Sequence, residues 1–239
     1  MATFVLVHGA WTGAFVFREV RGPLQAAGHK VFTPGLTGIG ERVHLASPQV
    51  CLTTHIADVV NTITYEDLRD IVLLGFSYGG LVVTGALEYI ADRVRHLVYL
   101  DAFVPADGEC AAALAGDATD RRVVGLGDGW LVAPVDREFA DPAVGAWVNA
   151  RRTPHPVGCF VEPVRLRRAL EDFAFSRTYI KATEDPRPGP DGPRSARSFW
   201  AAADRAARSP AWRYREVATG HMVPINRPDE LTRLLLELV

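Results

Sequence analysis

The segment Gly75-Phe76-Ser77-Tyr78-Gly79-Gly80 sets a serine between two glycines, each two positions away. A hydroxyl on so tight a turn can act as a nucleophile. Glycine at both flanks lets the backbone fold sharply without collision and leaves Oγ exposed at the tip. The apolar run Ile71-Val72-Leu73-Leu74 reads as a strand entering the turn. Leu81-Val82-Val83-Thr84-Gly85-Ala86-Leu87 reads as a helix leaving it, which completes the strand–turn–helix of a nucleophile elbow. A serine also needs a base. His221, in Ala218-Thr219-Gly220-His221-Met222 beyond the last expected strand, stands in the chain order serine, acid, histidine. Three acids compete to orient it: Asp185 leads, Asp101 is the alternative, and Glu184 is third. Each has an ordinary explanation too, Asp101 as a strand-end carboxylate and Asp185 as the start of a proline-rich turn. The chemistry in prospect is acyl transfer. It needs two N–H donors aimed at the developing oxyanion, each worth about 2.7–4 kcal/mol. Tyr78, directly after the serine, supplies one; Ala10, in the loop His8-Gly9-Ala10 after the first strand, supplies the other. His8 reads as a structural histidine that holds this loop.

These residues need a scaffold that brings distant segments together. Short apolar runs alternate with longer amphipathic ones, the rhythm of an α/β fold. Strands are expected at Phe4–Val7, Lys30–Thr33, Ile71–Gly75, Leu97–Leu100, Thr178–Lys181 and Trp212–Val217, and helices near 15–27, 54–66, 80–91, 196–207 and 228–238. Most of the strands are almost continuously apolar, as in a parallel sheet covered on both faces. The expected architecture is a mostly parallel six-stranded sheet flanked by helices, with a helical cap insertion. Between Pro105 and Phe175 no clear strand is legible, and the stretch is too long for a connecting loop. The division is therefore 1–104 for the first part of the core, 105–175 for the cap and 176–239 for the second part. The cap aromatics Trp130, Phe139, Trp147 and Phe160 suggest a mostly apolar cavity, although packing explains each one singly. Trp11, Trp130 and His155 are the candidate substrate contacts, and Arg42 and His44 are weaker ones. The run 185–193 holds four prolines and reads as a surface loop.

The 239 residues are 48% hydrophobic and 23% charged, within the globular range, so a disordered or fibrous chain is excluded. A net charge of −2 argues against nucleic acid or an anionic membrane as the main partner. Cys51, Cys110 and Cys159 are odd in number and form no CxxC pair or zinc pattern, which points to a reducing compartment. No signal-like leader and no run of about 18 apolar residues occurs, so a cytoplasmic location is expected. No metal-ligand cluster or phosphate-cradling loop is apparent, and no cofactor is expected.

Phe4-Val5-Leu6-Val7-His8-Gly9-Ala10-Trp11, then Pro23-Leu24-Gln25-Ala26-Ala27-Gly28-His29-Lys30-Val31, resemble one branch of the α/β-hydrolases almost residue for residue. That branch holds plant salicylate and jasmonate methyl esterases, hydroxynitrile lyases and bacterial esterase relatives. Thr178-Tyr179-Ile180-Lys181-Ala182-Thr183-Glu184-Asp185 resembles its acid-bearing strand, and this favours Asp185. Gly220-His221-Met222 resembles the esterases. The lyases carry threonine in place of Gly9 and lysine in place of Met222, so the resemblance implies ester hydrolysis rather than cyanohydrin cleavage. It further implies a serine hydrolase acting on carboxylic esters of small, mostly apolar substrates, and a homodimer. The gap from Asp185 to His221 is longer than usual for the branch. Gly35–His44 and Thr153–Pro156 look like the bacterial members. A lyase or carbon–carbon hydrolase on the same triad, or a non-catalytic small-molecule receptor, are the competing expectations.

Overall fold

The computed structural model describes residues 1–116, 123–124, 129–134, 136–185, 187–188 and 194–239. In chain order the strands are β1 (Thr3–Val7), β2 (Lys30–Phe32), β3 (Ile71–Phe76), β4 (Val94–Leu100), β5 (Val123–Val124), β6 (Leu131–Val132), β7 (His155–Pro156), β8 (Ser176–Ala182) and β9 (Arg213–Val217). The main sheet runs β2-β1-β3-β4-β8-β9, and every neighbouring pair in it is parallel. All six expected strands are present, each within a few residues of its expected bounds.

Alternation along the strands explains why these segments are apolar throughout. Val5, Val7, Ile71, Leu73, Leu97 and Tyr99 point to one face of the sheet; Phe4, Leu6, Val72, Leu74, Val98 and Leu100 point to the other. The first face is covered by α2 (Leu52–Tyr65), through Ile56, Val59 and Ile63, and by α3 (Gly79–Ile90). The second is covered by α1 (Arg18–Ala26), through Val20 and Leu24, and by α9 (Pro228–Leu236), through Leu231, Leu234 and Leu235. With no wet face left, neither residue set has room for polar side chains. The edge strands β2 and β9 are the exceptions: Lys30, Arg213 and Glu216 are exposed, as suits strands with one unpaired side.

The segment between β4 and β8, expected as a helical cap insertion, holds short strands as well as helices. It carries α4 (Ala111–Ala115), α5 (Pro142–Asn149) and α6 (Gly158–Val161) together with the antiparallel trio β5-β6-β7. These strands are two residues each, too short to show a period-two pattern in the sequence. The remaining helices are α7 (Arg194–Arg208), which packs on β8, and the single turn α8 (Val223–Asn226) after β9. Of the expected loop 185–193, residues 186 and 189–193 lie outside the described residues. Among the described residues no helix is long and apolar enough to cross a membrane.

Candidate active site

Ser77 follows the last residue of β3 directly and precedes α3 by two positions. Its φ is +56°, in the left-handed region that a side chain seldom adopts. Backbone bonds hold it there: the Ser77 N–H donates to Leu100 O, and Ser77 O accepts from Gly80 N–H and Phe103 N–H. The flanking glycines are required by close approach. A Cβ on Gly75 would stand 2.7 Å from Gly79 O, and one on Gly79 would stand 2.7 Å from Val7 O.

His221 lies in the loop after β9, 8% exposed, its ring stacked on Phe199 at 5.2 Å and tilted against Phe76 at 5.0 Å. Its Nε2 is 2.9 Å from Ser77 Oγ, and its Nδ1 is 2.6 Å from Asp101 Oδ2. The acid against the imidazole is therefore Asp101, the alternative candidate, and not Asp185. Asp101 follows β4, the strand beside β3, and a φ of +40° turns its carboxylate toward His221. Asp185 follows β8, one strand further out, and uses Oδ2 to accept the His221 backbone N–H at 2.9 Å. Glu184 is exposed and donates its own N–H to Thr219 O. The resemblance to the acid-bearing strand thus selected a residue that fixes the histidine loop rather than the ring.

A buried lysine completes this array. Lys181 Nζ donates to the free oxygen Oδ1 of Asp101 at 2.7 Å and to Ala182 O, and it lies over the Trp200 ring at 4.3 Å. Sequence reading missed Lys181, because one lysine in an apolar strand carries no spacing signal. Burial pushes the Asp101 carboxyl up, but the hydrogen bonds and charges of His221 and Lys181 outweigh it and hold the group below its ordinary range. Burial likewise sets His221 below its ordinary 6.5; the Asp101 hydrogen bond opposes this and the Arg137 charge adds to it. A neutral imidazole facing a serine hydroxyl can accept its proton.

Ser77 and His221 open on a cavity of about 280 Å³, lined also by Ala10, Trp11, Tyr78 and Phe160. Among the described residues, backbone hydrogen bonds take neither the Ala10 nor the Tyr78 N–H. Trp11 thus stands where a substrate contact was expected. Trp130 and His155 do not line the cavity. Trp130 gives its carbonyl to Val157 N–H, and His155 is fully buried behind Trp11 and Phe160. Phe139 and Trp147 pack against the opposite core layer. Arg42 pairs with Asp58 at 3.2 Å, and His44 is exposed, so both lie away from the cavity lining. His8 holds its loop as expected: its buried Nε2 accepts the Leu36 N–H at 3.2 Å. The lining also contains Asp136, Arg137, Arg152 and Ser195, none of which carries a motif in the sequence.

His55, His155 and Cys159 bring donor atoms of metal-ligand type within 4.8 Å of one another, all buried. Their ring lone pairs are already in use. His55 Nε2 lies 2.8 Å from Thr37 O and so carries the ring proton, which leaves Nδ1 to accept from Tyr78 OH at 3.0 Å. His155 Nδ1 accepts the Trp11 N–H at 3.2 Å. Burial pushes the Cys159 thiol well up and holds His55 down to about 4. A metal would have to displace these bonds, so the residues fit a neutral hydrogen-bonded cluster better than a metal centre.

Over its whole length the chain is 36% identical to a carbendazim hydrolyzing esterase of Nocardioides sp. (strain SG-4G), itself covered completely. It is 31% identical to methylesterase 1 of Arabidopsis thaliana across 43% of this chain and 40% of that one. Among solved structures, an extracellular alpha/beta-hydrolase from a Paenibacillus species superposes with a TM-score of 0.82 at 25% identity, over 100% of this chain and 99% of that one. The alpha/beta hydrolase family profile matches residues 4–234. A serine at a left-handed elbow after β3, a carboxylate after the adjacent β4 and a histidine from the loop after β9 meet at one end of the parallel sheet, and the chain belongs to the alpha/beta hydrolase family.

Proposed function

We propose that this protein is a serine esterase that cleaves carboxylic esters of small, mostly apolar substrates. The observation that carries this reading is the continuous line Ser77 Oγ–His221 Nε2, His221 Nδ1–Asp101 Oδ2, at 2.9 and 2.6 Å, opening on one cavity. Ser77 Oγ attacks the acyl carbon as His221 Nε2 takes its proton, and Asp101 stabilises the imidazolium that forms. The Ala10 and Tyr78 N–H groups donate hydrogen bonds to the carbonyl oxygen as negative charge develops on it. The intermediate collapses, His221 returns the proton to the departing alcohol, and water then resolves the acyl-enzyme by the same steps. The full-length likeness to an esterase supports ester hydrolysis over other reactions of the family. Met222, buried among apolar residues, offers no donor for a departing cyanide, which weighs against the lyase alternative.

The test is hydrolysis of p-nitrophenyl esters of graded acyl length by wild type, Ser77→Ala and His221→Ala. Both variants should lose activity by about 10⁴-fold or more, and turnover should peak at the acyl length that fits the cavity. A wild type inert on every ester, with Ser77 still labelled by a fluorophosphonate, would redirect the reading toward lyase or receptor function.

A further inference from the structure

Trp11 has a φ of +59°, a conformation unusual for so bulky a residue. Three hydrogen bonds hold it, and all come from the segment between β4 and β8. Thr153 N–H donates to Trp11 O at 3.1 Å, the Trp11 N–H donates to His155 Nδ1 at 3.2 Å, and the indole Nε1–H donates to Val132 O at 2.9 Å. Val132 and His155 face each other across the β6–β7 pair, so the cap grips Trp11 with one small sheet.

The preceding peptide is held from within the core loop itself. Gly9 O accepts from Thr12 Oγ1 at 2.9 Å and lies 3.0 Å from His8 Nδ1, which carries its ring proton because Nε2 accepts from Leu36. In a trans peptide the N–H points opposite to the carbonyl. A Gly9 O tied down in the loop therefore turns the Ala10 N–H away from it. Ala10 lies between two pinned peptide planes, one set by Gly9 O and the other by the Trp11 N–H.

The chemistry of His155 fits a holding role and not a substrate contact. Because Nδ1 accepts a backbone N–H, the ring proton is on Nε2, and this buried atom has no hydrogen-bond partner among the described residues. An apolar side chain would fill the same space without burying an unsatisfied donor. What the imidazole adds is the Nδ1 lone pair. Burial keeps the ring neutral, with its protonation pushed well below the ordinary range, so that lone pair remains available in mildly acidic solution.

We propose that His155 is a positioning residue for the oxyanion hole: its Nδ1 holds the Trp11 amide and so sets the aim of the Ala10 N–H into the cavity. This rests on the esterase reading, in which the Ala10 N–H is one of the two oxyanion donors. The hole is then assembled jointly by the core loop and the cap.

Three variants separate this role from packing. His155→Asn retains an acceptor at the Nδ1 position. His155→Gln stays polar but moves its acceptor to the wrong place, and His155→Leu removes it. The readouts are kcat and KM on p-nitrophenyl butyrate, the inhibition constant of phenylboronic acid (whose tetrahedral adduct with serine mimics the intermediate) and thermal melting. His155→Gln and His155→Leu should lose about 10- to 100-fold in kcat and in boronate affinity, with KM within about twofold of wild type. His155→Asn should recover most of both. The proposal fails if Gln or Leu folds and keeps wild-type kcat and boronate affinity, or if Asn fares no better than Gln. Should Leu fail to fold, the comparison of Asn with Gln decides. If wild type neither turns over the ester nor binds the boronate, the esterase reading falls and takes this proposal with it. An active wild type with an unimpaired His155→Gln sinks the proposal alone.

Discussion

Asp101 and Asp185 both touch His221, yet they touch different parts of it. One meets the ring at Nδ1, and the other meets the main chain at the backbone N–H. Only the first can fix the tautomer and stabilise an imidazolium, because only the ring changes charge during the reaction. Asp101→Asn should therefore lower kcat by about 10³- to 10⁴-fold, while Asp185→Asn should cost about tenfold or less by loosening the loop. Steady-state kinetics on one p-nitrophenyl ester decides between them, and a reversed ranking would return the acid to Asp185. Lys181 makes the choice of Asp101 physically tolerable. A carboxylate 1% exposed would be costly without a partner, and here each oxygen has one, His221 on Oδ2 and Lys181 on Oδ1.

At the scale of elements, the elbow was legible because its constraint is local. Gly75, Ser77 and Gly79 sit within five positions, between an apolar strand and a helix, and the turn geometry needs no distant information. The six core strands were legible for a similar reason, since burial on both faces leaves a continuous apolar run. The acid was not. Whether Asp101 or Asp185 reaches the imidazole depends on which strand lies beside β3, and the sheet order β3-β4-β8 exists only in three dimensions. The small antiparallel sheet between β4 and β8 was not legible, because two-residue strands leave no periodicity. His155 looked like a cavity residue because nothing in Thr153-Pro154-His155-Pro156 tells which way the ring points. The elbow also carries a mechanical expectation. A methyl on Gly79 would press on the Val7 and His8 carbonyl oxygens, at 2.7 and 2.8 Å, and both residues are fully buried at the end of β1. Gly79→Ala should destabilise the protein by about 1–3 kcal/mol and slow fluorophosphonate labelling of Ser77. A variant that melts with wild type and labels at its rate would refute that crowding.

For the whole molecule, an unusual share of the histidine is buried and neutral. Burial holds His55 and His96 down to about 4, and it lowers His8, His155 and His221 in the same direction. Between those values and the ordinary 6.5 the unfolded chain binds more protons than the folded one, so stability is complete above about pH 6.5 and falls as the pH drops below it. His55 alone accounts for a loss of about 2 kcal/mol between pH 7 and pH 5. Urea unfolding midpoints should therefore decline steadily over that interval, and a flat profile would mean that these rings take up protons in the folded state as readily as in the unfolded chain. The order of the sheet has a different consequence. β4 and β8 are hydrogen-bonded neighbours although the whole cap separates them in the chain, and Ser77 and Asp101 lie on one side of that insertion while His221 lies on the other. Neither half encodes a working centre. Severed within the cap, the polypeptide becomes a complementation pair whose activity reports the reunion of two fragments along a single parallel seam.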